Sequence, residues 1–133
     1  MKKTFSLSWK SSKQPRKQRK YKANVPLHLK RKFLSAHLGK ELREKYKRRN
    51  FPLVSGDKVK IFTGQFKGKE GKIDRVALKR GRVYITGIER ARKDGSKSMY
   101  PFQPSNLLII ELNLKDKKRK EALERNLKSE DKN

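Results

Sequence analysis

The sequence has no cysteine, little negative charge and no long apolar run. Without cysteine there is neither a disulfide framework nor a thiolate metal site. The apolar stretch 4–9 ends at Lys10 and is too short for a signal peptide. No other run approaches the roughly 18 to 20 residues of a membrane-spanning helix. We therefore expect a cytoplasmic chain without a membrane segment.

Positive charge dominates the composition. The 133 residues include 39 Lys and Arg against 13 Asp and Glu, a formal net charge of +26. A small soluble domain usually carries a net charge of about 2 to 8. Self-repulsion opposes compaction at this charge density, so the sequence predicts a polyanionic partner. Nucleic acid, with about one charge per 1.7 Å of duplex axis, fits this requirement. An anionic membrane surface is the alternative, but the sequence lacks a strongly amphipathic pattern.

The N-terminal part is the most basic. Residues 1–50 account for +16 of the net charge. Residues 1–23 form a basic arm, and because its segment 10–22 has no apolar periodicity apart from Tyr21, we expect an extended arm that is disordered alone in water. Such an arm is either a solvated tail or localisation signal, or a segment that becomes ordered against phosphates.

Residues 24–50 predict a basic helical extension. Asn24 is a suitable N-cap, and the apolar residues from Leu27 to Leu38 follow a rough three-to-four spacing. Gly39 should end this first helix. A second helix is expected over residues 41–48, with Leu42 and Tyr46 on one face.

Residues 51–110 predict a small β core. Five short runs rich in β-branched and aromatic residues are bounded by Gly, Pro, Asn and Asp, which is typical of strands. The runs lie at 58–62, 73–78, 82–86, 98–102 and 107–110. Gly81 indicates a hairpin turn at 79–82. This spacing predicts an all-β, SH3-like barrel, which with the flanking helices makes the chain α+β overall.

Residues 111–133 predict a C-terminal helix and tail. Acid-before-base pairs four residues apart support a helix over 111–128, and Leu123 and Leu127 give it a thin apolar stripe. The helix either docks on the core through these leucines or contacts another protein.

The connection between the first two core strands carries the most specific pattern. Glycines at 64, 68 and 71 alternate with Lys67, Lys69 and Lys72. Glycine lets the backbone turn sharply or approach another chain closely, so the connection can present its lysines to phosphates. Phe66 either packs inward or stacks on a base.

No pattern of catalytic or metal-ligating residues accompanies this connection. Residues 64–70 lack the Ser or Thr and the following helix that a nucleotide-binding P-loop requires. His28 and His37 match no metal motif, and the acidic residues are dispersed or paired with bases. We expect a protein that is not an enzyme and needs no cofactor, metal or small-molecule substrate.

The run Gly56–Ile73, with Val76, resembles the KOW motif. This motif occurs in ribosomal proteins and in transcription elongation factors of the NusG type. The flanking segments 12–20, 34–38, 41–46, 84–89 and 104–107 resemble one ribosomal family, the universal KOW protein of the large subunit, numbered twenty-four in bacteria and twenty-six in eukaryotes. The resemblance covers about Lys10 to Asn126 and favours the archaeal or eukaryote-like form.

This resemblance implies a structural constituent of the large ribosomal subunit. The family binds large-subunit ribosomal RNA near its 5′ domain, acts early in subunit assembly and lies on the outer surface near the exit tunnel. Neighbouring ribosomal proteins are the other implied partners, and an independent homo-oligomer is not expected. The alternative, a KOW-type elongation module that binds RNA polymerase, would need an accompanying domain of the NusG type, for which the sequence gives no sign.

Side chains cannot read the deep major groove of A-form RNA, so we expect recognition of shape and phosphate position. Trp9 and Tyr21 are candidates for stacking on exposed bases or on the planes of Arg side chains. The predicted RNA-contacting residues are Lys10, Lys13, Arg16, Lys17, Arg19, Lys20, Tyr21, Lys22, Lys30, Arg31, Lys32, Arg43, Arg48, Arg49, Lys67, Gly68, Lys69 and Lys72.

Overall fold

The computed structural model describes residues 4–130, with the backbone alone at Asn126 and at 128–130. The first half contains a 3-10 helix (Leu7–Ser11), helices α1 (Pro15–Asn24) and α2 (Leu27–Phe33), strand β1 (Ser35–Leu38), helix α3 (Lys40–Tyr46) and strand β2 (Asn50–Pro52). The second half contains strands β3 (Lys58–Ile61), β4 (Glu70–Ala77), β5 (Arg82–Ala91), β6 (Lys97–Phe102) and β7 (Leu107–Glu111), then helix α4 (Lys117–Glu130). A 3-10 turn (Pro104–Asn106) precedes β7. Residues 1–3 of the predicted arm and 131–133 of the predicted tail lie outside the described residues.

One mixed sheet organises the fold. Its seven strands pair in the order β2-β1-β7-β3-β4-β5-β6, with β1 parallel to β7 and the other pairs antiparallel. The five strands predicted between residues 51 and 110 are confirmed as β3 to β7, and so is the turn at Gly81, whose φ is +64°. Within residues 4–130 the pairing leaves β2 and β6 as open edges. The domain is therefore α+β, and the predicted SH3-like barrel is not confirmed, because the sheet is not closed within these residues.

The predicted helix over residues 24–38 is wrong at both ends. Asn24 ends α1 and does not cap α2, and the chain after Phe33 becomes strand β1. Ala36 and Leu38 point into the core and pair with Phe51 of β2 and Ile109 of β7. The i, i+4 spacing of the apolar residues fits a helix equally well, and only these distant partners decide for the strand. The second helix was predicted correctly, because α3 falls within 41–48 apart from its first residue.

The predicted extended arm is a helix over residues 15–24. Pro15 occupies its first turn, where a missing N–H costs nothing, and Lys, Arg and Gln are good helix formers. Tyr21 is the buried residue of this helix. One aromatic side chain leaves no periodicity to recognise, so the sequence pattern does not predict this helix.

The C-terminal helix starts later than predicted. β7 continues to Glu111, and α4 begins at Lys117 after Asp116, whose carboxylate accepts the backbone N–H of Lys118 at 3.0 Å. Leu123 is fully buried in the core and Leu127 packs against it, which confirms docking through the leucines. One of the acid-before-base pairs expected four residues apart joins Glu124 to Lys128, and the side chain of Lys128 lies outside the described ones.

A buried ion pair joins α4 to the sheet. The guanidinium of Arg119 donates to both carboxylate oxygens of Asp57, Nη1 to Oδ1 at 2.8 Å and Nη2 to Oδ2 at 2.7 Å. The backbone N–H groups of Val54 and Asn113 donate to the same carboxylate at 3.0 and 2.8 Å. Arg119 also donates to the carbonyls of Pro52 and Asn113. Asp57 is 0% and Arg119 5% exposed, so the pair is part of the core.

Gly71 permits a close approach between β4 and β5. A Cβ atom at this position would lie 2.5 Å from Cγ2 of Ile85, which is itself fully buried. We predict that Gly71→Ala lowers the free energy of unfolding by about 1–3 kcal/mol, the usual cost of overpacking a core. Lys72→Ala, at the exposed neighbouring position, should stay within about 0.5 kcal/mol of the parent. Urea unfolding of both variants measures this; equal effects would show that the approach does not constrain the sheet.

Candidate nucleic-acid interface

Helix α1 presents a row of exposed cations. Its exposed basic residues are Arg16, Lys17, Arg19, Lys20 and Lys22. The side-chain amide of Gln18 turns the opposite way and donates to the carbonyls of Lys10 and Ser12 at 2.8 and 2.7 Å. This contact fixes the preceding segment, including the exposed Lys10 and Lys13, against the helix. The sequence-predicted cations of the arm are thus held on a structured scaffold.

An aromatic cluster anchors α1. The ring of Tyr21 stacks on Phe5 at a centroid distance of 5.4 Å and meets Phe33 of α2 edge-on at 6.1 Å. Tyr21 is only 7% exposed, so its predicted role in stacking on a base is not supported by its position. Trp9 is half-buried and carries the ammonium of Lys20 at 4.6 Å from its ring centroid. The burial of Tyr21 and of Trp9 is determined by packing between segments, which the spacing of residues in the sequence could not reveal.

A groove lies between the helices and the β4–β5 turn. The helices contribute Lys22, Lys30 and Phe33, and the turn contributes residues 78–82. The ammonium of Lys30 donates to the carbonyl of Lys79 at 3.3 Å and so spans the groove. The neighbouring Arg31 and Lys32 are exposed. The turn adds three cations that were not among the predicted contacts, Lys79, Arg80 and Arg82. The sequence feature that could have identified them is the basic hairpin turn predicted at 79–82.

The basic residues of α3 and its C-terminal end surround a second concavity, which Glu44 also lines. Arg43, Arg48 and Arg49 line it, together with Lys40 and Lys47. Arg43 and Arg49 are exposed, whereas Arg48 is half-buried with its guanidinium carbon 5.7 Å from the ring centroid of Phe51. The three predicted residues are therefore brought together, but Arg48 also packs on the core.

The glycine-containing connection between β3 and β4 presents Lys67, Lys69 and Lys72, all exposed. The backbone N–H of Gly68 donates to the carbonyl of Ile61 at 2.8 Å, and its φ of +88° lets the chain close this turn. Phe66 packs inward, with its ring centroid 5.0 Å from that of Tyr100. Of the two alternatives for Phe66, the inward position is confirmed.

Two residues link this connection to the groove. Arg82 and Gln103 line the groove and also a concavity formed with residues 63–66. The cations of α1, α2 and the hairpin turn thus meet at the groove, and residues 63–66 of the β3–β4 connection adjoin it.

Acidic groups are few beside these cations. Among the described residues, carboxylates pair with Lys58, Lys60 and Arg119, and the cations of α1 form no ion pair. In the β5–β6 hairpin, hydrogen bonds from Ser96 lower the pKa of Asp94. Residues 4–130 hold no cluster of His, Asp or Glu suited to a metal ion. No helix in this part of the chain is long and apolar enough to cross a bilayer.

Fold and surface together define a small α+β protein whose exposed charge is overwhelmingly cationic. Residues 12–126 match the family that comprises the eukaryotic ribosomal protein L26 and its archaeal counterpart, L24. A large ribosomal subunit protein uL24 from Methanosphaera stadtmanae is 46% identical over 114 residues, covering 86% of this chain and 97% of its own length. The uL24 protein of Nanoarchaeum equitans is 50% identical over 119 residues, covering 90% and 80%.

The chain therefore belongs to this family of ribosomal proteins of the large subunit, in its archaeal-like form. The resemblance seen in the sequence is confirmed over nearly the range it was given. The alternative of a transcription elongation module is not supported by either comparison.

Proposed function

We propose that this protein is a structural, non-catalytic constituent of the large ribosomal subunit in the cytoplasm that binds large-subunit ribosomal RNA directly. The observation that carries the proposal is the surplus of cations on α1, where five exposed basic residues have no carboxylate partner among the described residues. When RNA phosphates bind these cations, the repulsion among the cations is relieved. The counterions that had surrounded the phosphates are released into solution, which favours binding.

The shape of the surface favours folded RNA as the partner. The cations lie on helices, on a hairpin turn and on the β3–β4 connection, so they can reach several RNA strands at once. Contacts of this kind fix position and orientation and carry little base specificity. A protein that neutralises phosphates on neighbouring RNA helices reduces their mutual repulsion. This is the physical basis on which we propose a role in nucleating subunit assembly.

The finer placement follows from the family resemblance. We propose that residues 51–110 act as a KOW module with an SH3-like curl, built on the glycine-containing connection with Gly68 and Gly71. We further propose contact with the RNA near its 5′ domain, on the outer surface near the exit tunnel, beside neighbouring ribosomal proteins. We also propose that the chain is divided into four functional segments: the basic arm 1–23, the basic extension 24–50, the KOW module 51–110 and the C-terminal helix and tail 111–133.

A binding experiment with purified chain and transcribed RNA tests this function. The chain should bind a transcript of the 5′ domain of large-subunit RNA more tightly than a transcript of equal length from the small subunit, at a salt concentration where non-specific binding is weak. Equal affinity for both transcripts would contradict specific recognition. Co-sedimentation from cell extract should place the protein with large subunits, and co-sedimentation with RNA polymerase instead would reject the proposal.

A further inference from the structure

Exposed apolar side chains gather at the groove between α2 and the β4–β5 turn. Phe33 and Leu78 line the groove and are 47% and 36% exposed. Leu27, also 47% exposed, lies with Leu78 in an extension of the groove along β4. Three of the five large hydrophobic residues most exposed in the described chain thus share one surface. Grouped exposure of this kind marks a binding site more often than scattered exposure does.

The charged residues around this apolar floor all have one sign. The groove is lined by the cations Lys22, Lys30, Lys79, Arg80 and Arg82, and neither the groove nor its extension is lined by a carboxylate of the described residues. A ligand that satisfies both features must offer an apolar, flat surface between anionic groups. An unpaired nucleotide in RNA has this form, because its base lies between two phosphates and has a free π face.

The groove is held open by contacts on both sides. Tyr21 meets the Phe33 ring at an interplanar angle of 87° and is itself stacked on Phe5, so one side of the Phe33 ring is supported while nearly half of the side chain stays exposed. The hydrogen bond from Lys30 to the carbonyl of Lys79 joins the two walls. Because the groove is already held in place, a ligand needs to order few further groups when it binds. The entropy cost of binding is therefore small.

We infer that this groove holds an unpaired nucleotide of the bound RNA, with its base on Phe33 and Leu78 and its phosphates beside Lys22, Lys79 and Arg80. The inference rests on the proposed RNA binding and adds to it a preference for bulged or looped RNA over continuous duplex. Phosphate contacts from the other exposed cations of α1, Arg16, Lys17, Arg19 and Lys20, do not depend on this preference, so the two properties separate in an experiment.

The test compares two RNAs with the full-length chain. One is a duplex carrying a bulge of unpaired adenines, and the other is the same duplex without the bulge. Fluorescence anisotropy should show the bulged RNA binding at least about 5-fold more tightly, the lower end of the effect of stacking one base on an aromatic side chain. Phe33→Ala should abolish this preference, measured as the ratio of the two affinities, so that any weakening of binding to both RNAs through the contact of Phe33 with Tyr21 cancels. Phe62→Ala is the matched control, since Phe62 is 58% exposed and lines neither part of the groove.

Two further variants separate stacking from packing. Phe33→Tyr keeps an aromatic ring and should keep the preference. Phe33→Leu keeps an apolar contact for Tyr21 but has no ring, so it should bind the bulged RNA no better than the duplex while unfolding at the parent temperature. A preference that survives in Phe33→Leu, or that Phe33→Ala lowers no more than Phe62→Ala, overturns the inference. If the parent chain binds the 5′-domain transcript but neither of these two RNAs, the inference is overturned; if it binds none of the three, the proposed function fails as well.

Discussion

Replacing Arg119 by methionine is expected to lower the free energy of unfolding by about 3–5 kcal/mol, the usual cost of removing one partner of a buried ion pair. The change leaves the carboxylate of Asp57 in the core, where it is 0% exposed and keeps only its two backbone N–H donors. It also frees the carbonyls of Pro52 and Asn113, which Arg119 now satisfies. Because typical domains have a total stability of about 5–15 kcal/mol, this loss is a large share of the total.

Urea unfolding at high salt, which screens the net charge, measures this effect. Lys120→Met is the matched control, because Lys120 is the exposed neighbour on the same helix and should change stability by no more than about 0.5 kcal/mol. Removing both partners in Arg119→Met with Asp57→Leu should restore part of the stability, since no isolated charge is then buried. If Arg119→Met is as stable as the control, the pair does not hold α4 to the sheet.

Neutralising the exposed cations of α1 is expected to flatten the salt dependence of RNA binding. In a variant with glutamine at Arg16, Lys17, Arg19 and Lys22, the slope of log K against log salt should fall by about 3 units, since each phosphate that a cation neutralises adds roughly 0.7 to 0.9 to the slope. Glutamine keeps a high helix propensity, and Tyr21 stays in place, so α1 should persist. The helical signal in circular dichroism checks this point.

The control for this variant removes the same charge elsewhere. Glutamine at Lys115, Lys117, Lys118 and Lys120, all exposed and at or near the start of α4, gives a chain of equal net charge. The salt slope of the control should change by less than about 1 unit if α4 lies away from the RNA. Equal slopes for the two variants would mean that overall charge, and not the position of α1, determines binding.

Local pattern was sufficient for the strands of the β core. Val59 and Ile61 alternate with lysines and lie buried in β3. Val83 and Ile85 are likewise buried in β5, although Tyr84 between them is buried too. The turn between β4 and β5 followed from Gly81. These features depend on neighbours in the sequence, and alternation reports them directly.

Long-range contacts were the part that local pattern could not supply. β1 is a strand because Leu38 pairs with Ile109, more than half the chain away. The ion pair of Asp57 with Arg119 joins residues 62 positions apart, and neither residue stands out in its own segment. Long-range pairing also adds β1 and β2 to the sheet, two strands that residue spacing did not predict. With them, the open edges of the sheet are β2 and β6 within the described residues.

The candidate site shows the same division. The abundance of cations could be read from composition, and their exposure on α1 and on the β3–β4 connection agrees with it. The sequence did not show which aromatic residues are buried. Tyr21 is buried and Phe33 is half exposed because of how the chain packs around each of them. The contribution of the hairpin turn at 79–82 depends on α2 lying beside it, which is again a matter of packing.

Ultraviolet crosslinking of purified large subunits, followed by identification of the crosslinked peptides, tests the central claim most directly. Direct contact of the cationic surface with ribosomal RNA predicts nucleotide adducts on peptides from α1, from α2 and from the β4–β5 turn at 79–82. Peptides from α4 should carry few. Adducts confined to α4, or a protein recovered in the subunit with crosslinks to other proteins alone, would contradict the claim.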